Sequence, residues 1–182
     1  MLPFLLNRIV FVVTIVIFYF YNTNAAIKTG VISNSELITD VVNAGFVLCY
    51  DRDYSHATST ADLNECSAIS AGFLFVGSIS PSDLSKFHLG AYGLTSHVLA
   101  STALDSPFLS NGVYWYRTAT YSFGFSDTSS ISQLAADNNA GTLKLSWHLD
   151  RSGVGSGGWR SGSIQNLFDT TWRKQIYTTG KL

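Results

Sequence analysis

The 182-residue sequence contains few cysteines and few charged residues. Its two cysteines, Cys49 and Cys66, are separated by sixteen residues, which excludes a C-x-x-C redox motif. With no pair of histidines close to them in sequence, they do not make up the ligand set of a structural zinc site. Charged residues form 13% of the chain and the net charge is −1, so a basic footprint for nucleic acid is missing. We therefore expect no metal, no cofactor and no nucleic-acid partner.

The sequence also lacks the common catalytic motifs. It has no G-x-S-x-G nucleophile elbow and no H-E-x-x-H zinc motif. One phosphate-loop pattern is present, because Gly153, Gly155 and Gly158 match G-x-G-x-x-G. A dinucleotide site needs a helix after these glycines and further strands beyond it, but only 24 residues (182 minus 158) follow Gly158. We therefore expect no nucleotide and interpret the glycines as a flexible connection between strands.

The N-terminal segment carries the longest apolar run. Residues Ile9 to Tyr21 are interrupted only by Thr14, and Arg8 is the one charge in this segment. A helix of this length spans about 20 Å, which is shorter than the roughly 30 Å hydrocarbon core of a membrane. The run predicts a secretory signal peptide over residues 1–26 and a single extracellular domain over residues 27–182. The alternative is an uncleaved segment that anchors the protein in a membrane.

Secretion has a consequence for the two cysteines. In an oxidising compartment Cys49 and Cys66 are expected to form one disulfide bond.

The basic residues are concentrated in the last part of the chain. Residues 27–143 hold ten acids and four bases, whereas residues 144–182 hold six bases and two acids. We interpret the second segment as a solvated face of mixed charge rather than as a cationic patch.

Composition and pattern predict a mainly β fold. Aromatic residues form 14% of the chain, and positions 143, 145 and 147 of the segment Leu143 to His148 are apolar, as in a strand with one buried face. We predict an antiparallel two-layer sandwich with one or two short helices near the N-terminal side. The helices are expected over Ser35–Ala44 (capped by Asn34) and Thr60–Ala71 (capped by Thr60), with a weaker candidate at Ser129–Ala136. The expected strands are Phe46–Tyr50, Phe73–Ile79, Phe87–Tyr92, Val113–Arg117, Thr120–Phe125, Leu143–His148 and Lys174–Thr178.

Exposed aromatic residues beside arginine suggest a recognition surface. A tyrosine or tryptophan offers a flat apolar face and a hydrogen-bonding tip, which suits sugar rings and peptides. We predict that Tyr116, Arg117, Trp159 and Arg160 contact a ligand, with Trp159 in a loop. The predicted function is a secreted, non-catalytic recognition or adhesion module for glycans or proteins of the cell surface or matrix. The other three tryptophans, Trp115, Trp147 and Trp172, are expected in the core.

Two other functions stay open from the sequence. A small secreted hydrolase would use His88 or His97 together with an acid such as Asp83 or Asp105. A structural assembly subunit would instead show a large exposed apolar patch. Calcium binding was considered at the acidic pair Asp51-Arg-Asp53, but no D-x-[DN]-x-[DN]-G loop supports it.

The order of the aromatic and glycine motifs resembles a widespread set of uncharacterised secreted modules. The resemblance covers residues 44–177 and implies an extracellular domain without an established activity. Those modules are richer in cysteine, and Ser146 and Ser161 stand here at two of the expected cysteine positions, while the pairing of Cys49 with Cys66 would be retained. The motifs that carry the resemblance are AGFVLCY, ADLNEC, NGVYWY, YSFGF, LSWH, GGWRSGS and WRKQIY.

Overall fold

The protein is a mainly β sandwich of two antiparallel sheets, with 45% strand and 12% helix among the residues that the structure describes. The computed structural model describes residues 26–67, 72–102, 106–118, 122–129, 141–151 and 157–179. The predicted fold class is therefore confirmed. The strands are β1 (Ile32–Ser33), β2 (Val47–Asp53), β3 (Phe73–Ile79), β4 (Leu89–Leu94), β5 (Phe108–Ser110), β6 (Val113–Arg117), β7 (Ser122–Ser126), β8 (Lys144–His148), β9 (Gly158–Ser161), β10 (Ile164–Gln165) and β11 (Arg173–Thr179). The helices are α1 (Ile38–Asn43), α2 (Thr60–Glu65) and α3 (Thr95–Val98).

The two sheets are connected in different ways. The six-stranded sheet has the order β10-β9-β8-β7-β6-β5, so each strand pairs with its neighbour in sequence. The five-stranded sheet has the order β1-β4-β3-β11-β2, and β11 lies between β3 and β2. Ile176 of β11 accordingly pairs with Val76 on one side and with Tyr50 on the other.

The main core lies between the sheets and follows the two-residue alternation of the strands. Trp115, Phe123 and Trp147 of the six-stranded sheet belong to the same buried cluster as Val76 and Ile176 of the five-stranded sheet. The three tryptophans that the sequence assigns to the core, Trp115, Trp147 and Trp172, are all buried. Alternation places the intervening residues of the five-stranded sheet on its other face.

A second apolar cluster covers that outer face. Phe75 of β3 packs against Phe87, with ring centroids 4.6 Å apart, and Val41 of α1 belongs to the same cluster. Gly77 and Gly90 are directly paired across β3 and β4, and a Cβ on either glycine would collide with the ring of Phe87 or Phe75. The aromatic packing on this face therefore requires glycine at both positions.

The helices differ from the prediction at their ends. Leu37 rather than Asn34 is the N-cap of α1, and Asn34 has a positive φ of 50°. Ser59 rather than Thr60 caps α2, through a capping box with Asp62 that satisfies two backbone N–H groups. Helix α3 was not predicted from the sequence, and neither were four short strands, namely β1, β5, β9 and β10. The weak helix predicted at Ser129–Ala136 lies outside the described residues, apart from Ser129.

The glycine-rich segment, predicted as a flexible connection between strands, contains the start of a strand. Gly153 and Gly155 lie outside the described residues, but Gly158 begins strand β9. Glycine is required there because a Cβ would collide with the ring of Tyr54. The prediction of a loop around Trp159 is therefore wrong.

The predicted disulfide bond is present. Cys49 in β2 is bonded to Cys66, the C-cap of α2, with the two Cα atoms 5.4 Å apart. Since β2 is an edge strand of its sheet, the bond fastens α2 to that edge. Among the described residues, no helix has the length and apolar character needed to cross a membrane.

Replacing both Cys49 and Cys66 by serine should lower the free energy of unfolding by about 3 kcal/mol, because the bond closes a short loop in the unfolded chain. Urea unfolding of the double variant and of the wild type measures the difference. Dithiothreitol should destabilise the wild type by the same amount and leave the double variant unchanged. A difference below about 1 kcal/mol would show that the bond contributes little to stability.

Candidate functional site

Trp159 is the additional residue of a β-bulge. Ser146 pairs with Arg160 across β8 and β9, whereas Trp147 pairs with Gly158, so one extra residue is accommodated in β9. A bulge redirects a side chain relative to the regular alternation of a strand. Trp159 is partly exposed.

Two further rings hold the indole of Trp159 in place. The imidazole of buried His148 stacks on it, with centroids 5.2 Å apart and an interplanar angle of 25°. Phe168 is partly exposed. The centroid of its ring lies 5.6 Å from that of Trp159 and 6.1 Å from that of His148. The backbone N–H of Leu167 donates to the carbonyl of Trp159 and positions the segment that carries Phe168. His148, Trp159 and Phe168 form what we call the aromatic platform.

Two of the other three predicted contact residues, Arg160 and Tyr116, are buried. Arg160 is fully buried, and its Nε donates to the carbonyl of Gly162. Tyr116 is buried and donates its hydroxyl to the carbonyl of Leu145, 3.1 Å away. Arg117 is partly exposed and donates to the carbonyl of Leu99. Trp159 and Arg117 are therefore the predicted contact residues that are partly exposed.

Hydrogen bonds join two buried serines, Ser78 and Ser161, to His88. Separately, the indole Nε1 of Trp147 donates to the hydroxyl of Tyr54, 3.2 Å away. The two serine Oγ atoms are 2.5 Å apart, and Ser161 Oγ is 2.7 Å from Nδ1 of His88. Burial raises the pKa of the Tyr54 hydroxyl and lowers the pKa of the His88 imidazole. Both groups are therefore neutral near pH 7.

The geometry around His88 gives little support to acyl-transfer chemistry. The nucleophile of such a reaction must reach a substrate carbonyl, but Ser161 is fully buried. Asp83 lines the same cavity as His88, yet its Oδ1 accepts from the backbone N–H and hydroxyl of Ser85 and its Oδ2 pairs with Lys86. These bonds lower the pKa of the Asp83 carboxyl to about 2.

His97, the other histidine considered for hydrolysis, has an aromatic partner. Its ring stacks on Phe108, with centroids 5.6 Å apart and an interplanar angle of 14°. Asp105, one of the acids considered with it, lies outside the described residues.

Several basic residues of the last segment lie inside the protein. Lys144, Arg160 and Lys174 are buried, and Arg173 forms an ion pair with Asp51, with 2.8 Å between guanidinium nitrogen and carboxylate oxygen. The interpretation of residues 144–182 as a solvated face of mixed charge is therefore wrong.

Asp51 and Asp53, the acidic pair that could bind calcium, accept hydrogen bonds from other groups of the protein. Asp51 accepts from Arg173, and Asp53 accepts from the backbone N–H groups of Ser55 and His56. Within the described ranges, no group of three histidine, cysteine, aspartate or glutamate side chains is placed to hold a metal ion.

Lys174 has the most strongly shifted pKa of the buried bases that the structure describes. Its Nζ donates to the carbonyl of His56 and to Oγ1 of Thr58, each 2.6 Å away, and lies 5.8 Å from the ring centroid of Trp147. Burial lowers the pKa of the Lys174 ammonium to about 7, against a partial opposing effect of Asp53 and Asp62.

Comparison with known proteins identifies no relative of this chain. No family model matches it, and neither a curated protein nor a solved structure shows significant similarity to it.

The pKa of Lys174 predicts how stability depends on pH. In the unfolded chain the ammonium of Lys174 loses its proton with a pKa of 10.5, whereas in the folded protein it loses this proton near pH 7. The free energy of unfolding should therefore rise with pH between these two values. From about pH 7 to about pH 9 the expected gain is about 2 kcal/mol. Urea unfolding as a function of pH measures it.

Two variants isolate this effect. Lys174→Met should abolish the pH-dependent gain, while Lys28→Met, at an exposed lysine, should retain it. The measurement stops near pH 9 because tyrosines of the unfolded chain begin to ionise above that pH. Burial raises the pKa of Tyr177 to about 12 in the folded protein, so ionisation of this tyrosine in the unfolded chain lowers the free energy of unfolding. An unchanged slope in Lys174→Met would assign the pH dependence to other groups.

Proposed function

We propose that this protein is a secreted, non-catalytic recognition module that binds carbohydrate on the aromatic platform. The observation that carries the proposal is the indole of Trp159, which is partly exposed and held by His148 and Phe168. A sugar ring presents apolar C–H groups on its faces and hydroxyls at its edge. An indole offers a matching flat apolar surface.

The rigidity of the platform favours binding. Each ring is held by contacts within the fold, so little conformational freedom is lost when a ligand docks. The bulge in β9 contributes to this arrangement because it directs Trp159 out of the regular alternation. Exposed aromatic residues that are already ordered commonly contribute most of the binding energy at recognition surfaces.

Two observations support an extracellular location. The Cys49–Cys66 disulfide bond is typical of proteins folded in an oxidising compartment. The apolar run within residues 1–26, which lies outside the described residues apart from Ala26, has the pattern of a signal peptide. A cell-surface or matrix glycan would be available to the protein in that location.

Trp159→Ala should weaken glycan binding by roughly tenfold or more, because it removes the exposed face of the platform. The experiment screens the secreted protein on an array of cell-surface and matrix glycans and measures the affinity for each hit by calorimetry. Leu109→Ala is the matched control. Leu109 is an apolar residue, 55% exposed, on β5 at the opposite edge of the sheet.

The outcomes of this experiment are distinct. Loss of binding in Trp159→Ala but not in Leu109→Ala supports both the function and the site. Equal affinity in wild type and Trp159→Ala would contradict the site but not the function. A folded wild-type protein that binds no glycan on the array would contradict carbohydrate recognition.

A second candidate function is assembly with another copy of this chain. Val47 and Leu48, at the start of edge strand β2, are 66% and 44% exposed. An edge strand presents unpaired backbone groups, and apolar side chains beside them favour pairing with another strand.

Assembly through β2 predicts a molecular mass that increases with protein concentration. Light scattering after size exclusion should detect a dimer that Val47→Lys dissociates, because the added charge would be buried between two edges. Thr39→Lys adds the same charge at an exposed position of α1 and should leave the dimer intact. A monomer at every concentration would exclude this function.

A further inference from the structure

Two exposed amide side chains lie beside the aromatic platform. Gln165 ends strand β10 and Asn166 follows it, and both residues are exposed. Strand β10 pairs with β9, the strand that carries Trp159, and Gln165 is opposite Arg160 in this pair. The backbone N–H of Leu167 donates to the carbonyl of Trp159, 3.0 Å away. The two amides are therefore neighbours of the indole on the adjacent strand.

Strand pairing also defines the face of the sheet on which Gln165 lies. Alternation along β8 places Ser146 and His148 on the face that points away from the core. Arg160 pairs with Ser146, and Gln165 pairs with Arg160, so these three residues share that face. The indole of Trp159 lies at the same face because it stacks on His148. Gln165 and the stacked rings consequently border one surface.

Asn166 belongs to the turn that brings Phe168 to the platform. Its φ of 57° lies in the left-handed region, which asparagine adopts more readily than most residues. Its carbonyl accepts from the backbone N–H of Phe168, 3.0 Å away. The turn ends β10 and leads directly to the third ring of the platform, so a second exposed amide stands two residues before that ring.

Both amides can bind a ligand. Among the residues that the structure describes, no side-chain hydrogen bond involves Gln165 or Asn166. An amide group has one carbonyl acceptor and two N–H donors, whereas a sugar hydroxyl both donates and accepts. One amide can therefore bind two adjacent hydroxyls, because it accepts from the first and donates to the second.

The hairpin that carries these groups presents no charge to a ligand. Arg160 is the only charged residue between Trp159 and Phe168. It is fully buried, and its Nε donates to the carbonyl of Gly162. The polar groups that this hairpin exposes beside the rings are therefore neutral.

The charged residues that flank the platform have opposite signs. Nη1 of Arg151 lies 3.5 Å from Nε2 of His148, and Asp169 directly follows Phe168. Recognition of an acidic sugar would require an excess of positive charge, since a carboxylate or sulfate is bound best by charge-assisted hydrogen bonds. One base and one acid provide no such excess.

We propose that Gln165 and Asn166 determine the specificity of the aromatic platform, and that its ligand is a neutral glycan whose pyranose ring carries two adjacent hydroxyls. The apolar face of the ring stacks on the indole of Trp159, and the hydroxyls at its edge bind the two amides. This inference rests on the proposed carbohydrate binding and names the class of glycan and the polar contacts.

The first test replaces each amide and measures affinity for a neutral glycan by calorimetry. Gln165→Met keeps the length of the side chain, and Asn166→Gly keeps the left-handed backbone. Each variant should bind about tenfold more weakly, because it loses the hydrogen bonds of one amide. Asn34→Gly is the matched control, since Asn34 is an exposed asparagine with a φ of 50° at the end of β1 in the other sheet. It should bind like the wild type.

The outcomes separate this inference from the proposed function. Wild-type affinity in Gln165→Met or Asn166→Gly, together with loss of binding in Trp159→Ala, would overturn the role of that amide and leave carbohydrate recognition in place. A folded wild-type protein that binds no glycan would overturn both.

A second test asks whether the amides contact the sugar directly. A series of deoxy sugars, each lacking one hydroxyl, is compared with the parent sugar. The hydroxyl bound by Gln165 should cost the wild type about tenfold in affinity when it is removed, and cost Gln165→Met much less, because its partner is already gone. A distorted platform would weaken the parent and the deoxy sugar alike. Equal costs in both proteins for every hydroxyl would overturn a direct contact.

The third test concerns charge. A neutral disaccharide is compared with its counterpart that carries a carboxylate, at low and at high ionic strength. The neutral sugar should bind more tightly, and its affinity should not depend on salt, because no charges are paired. Tighter binding of the acidic sugar that falls as salt is added would overturn the neutral class and assign the contact to Arg151.

Discussion

The indole of Trp147 is the contact on which the rest of the structure depends. It packs between the sheets against Phe123 and Tyr50. Its indole N–H donates to the hydroxyl of Tyr54, and the ammonium of Lys174 lies near its ring. The backbone of Trp147 pairs with Gly158, which sets the bulge that directs Trp159 outward. One buried residue thus connects the core, the buried hydroxyl of Tyr54 and the aromatic platform.

The parts of the fold that could be predicted are those with strong local patterns. Strands β3 and β6 begin and end where the sequence predicted them. Strand β9 was missed because glycine usually disfavours strands, whereas here Gly158 makes room for the ring of Tyr54, a contact between residues distant in sequence. Trp159 could be selected from its neighbours, but Phe168 and His148 join it only through the bulge and the fold of the following segment.

The burial of basic residues was the least predictable property, because sequence patterns assign lysine and arginine to the surface. Lys174 is internal because β11 lies between two other strands, and its ammonium finds the carbonyl of His56 and the hydroxyl of Thr58 there. Arg160 and Tyr116 satisfy their polar groups on backbone carbonyls, which no local pattern reveals. Two predicted contact residues consequently lie in the interior.

The position of β11 determines the order in which the sheets can form. The six-stranded sheet pairs neighbours in sequence, so its contacts close short loops and can form early. The five-stranded sheet stays divided until β11 enters between β2 and β3, because these two strands do not pair with each other. On a ribosome, the first half of the chain must therefore wait with unpaired strand edges while most of the second half is synthesised. Rapid oxidation of Cys49 with Cys66 would join β2 to α2 during the delay, before β11 is available.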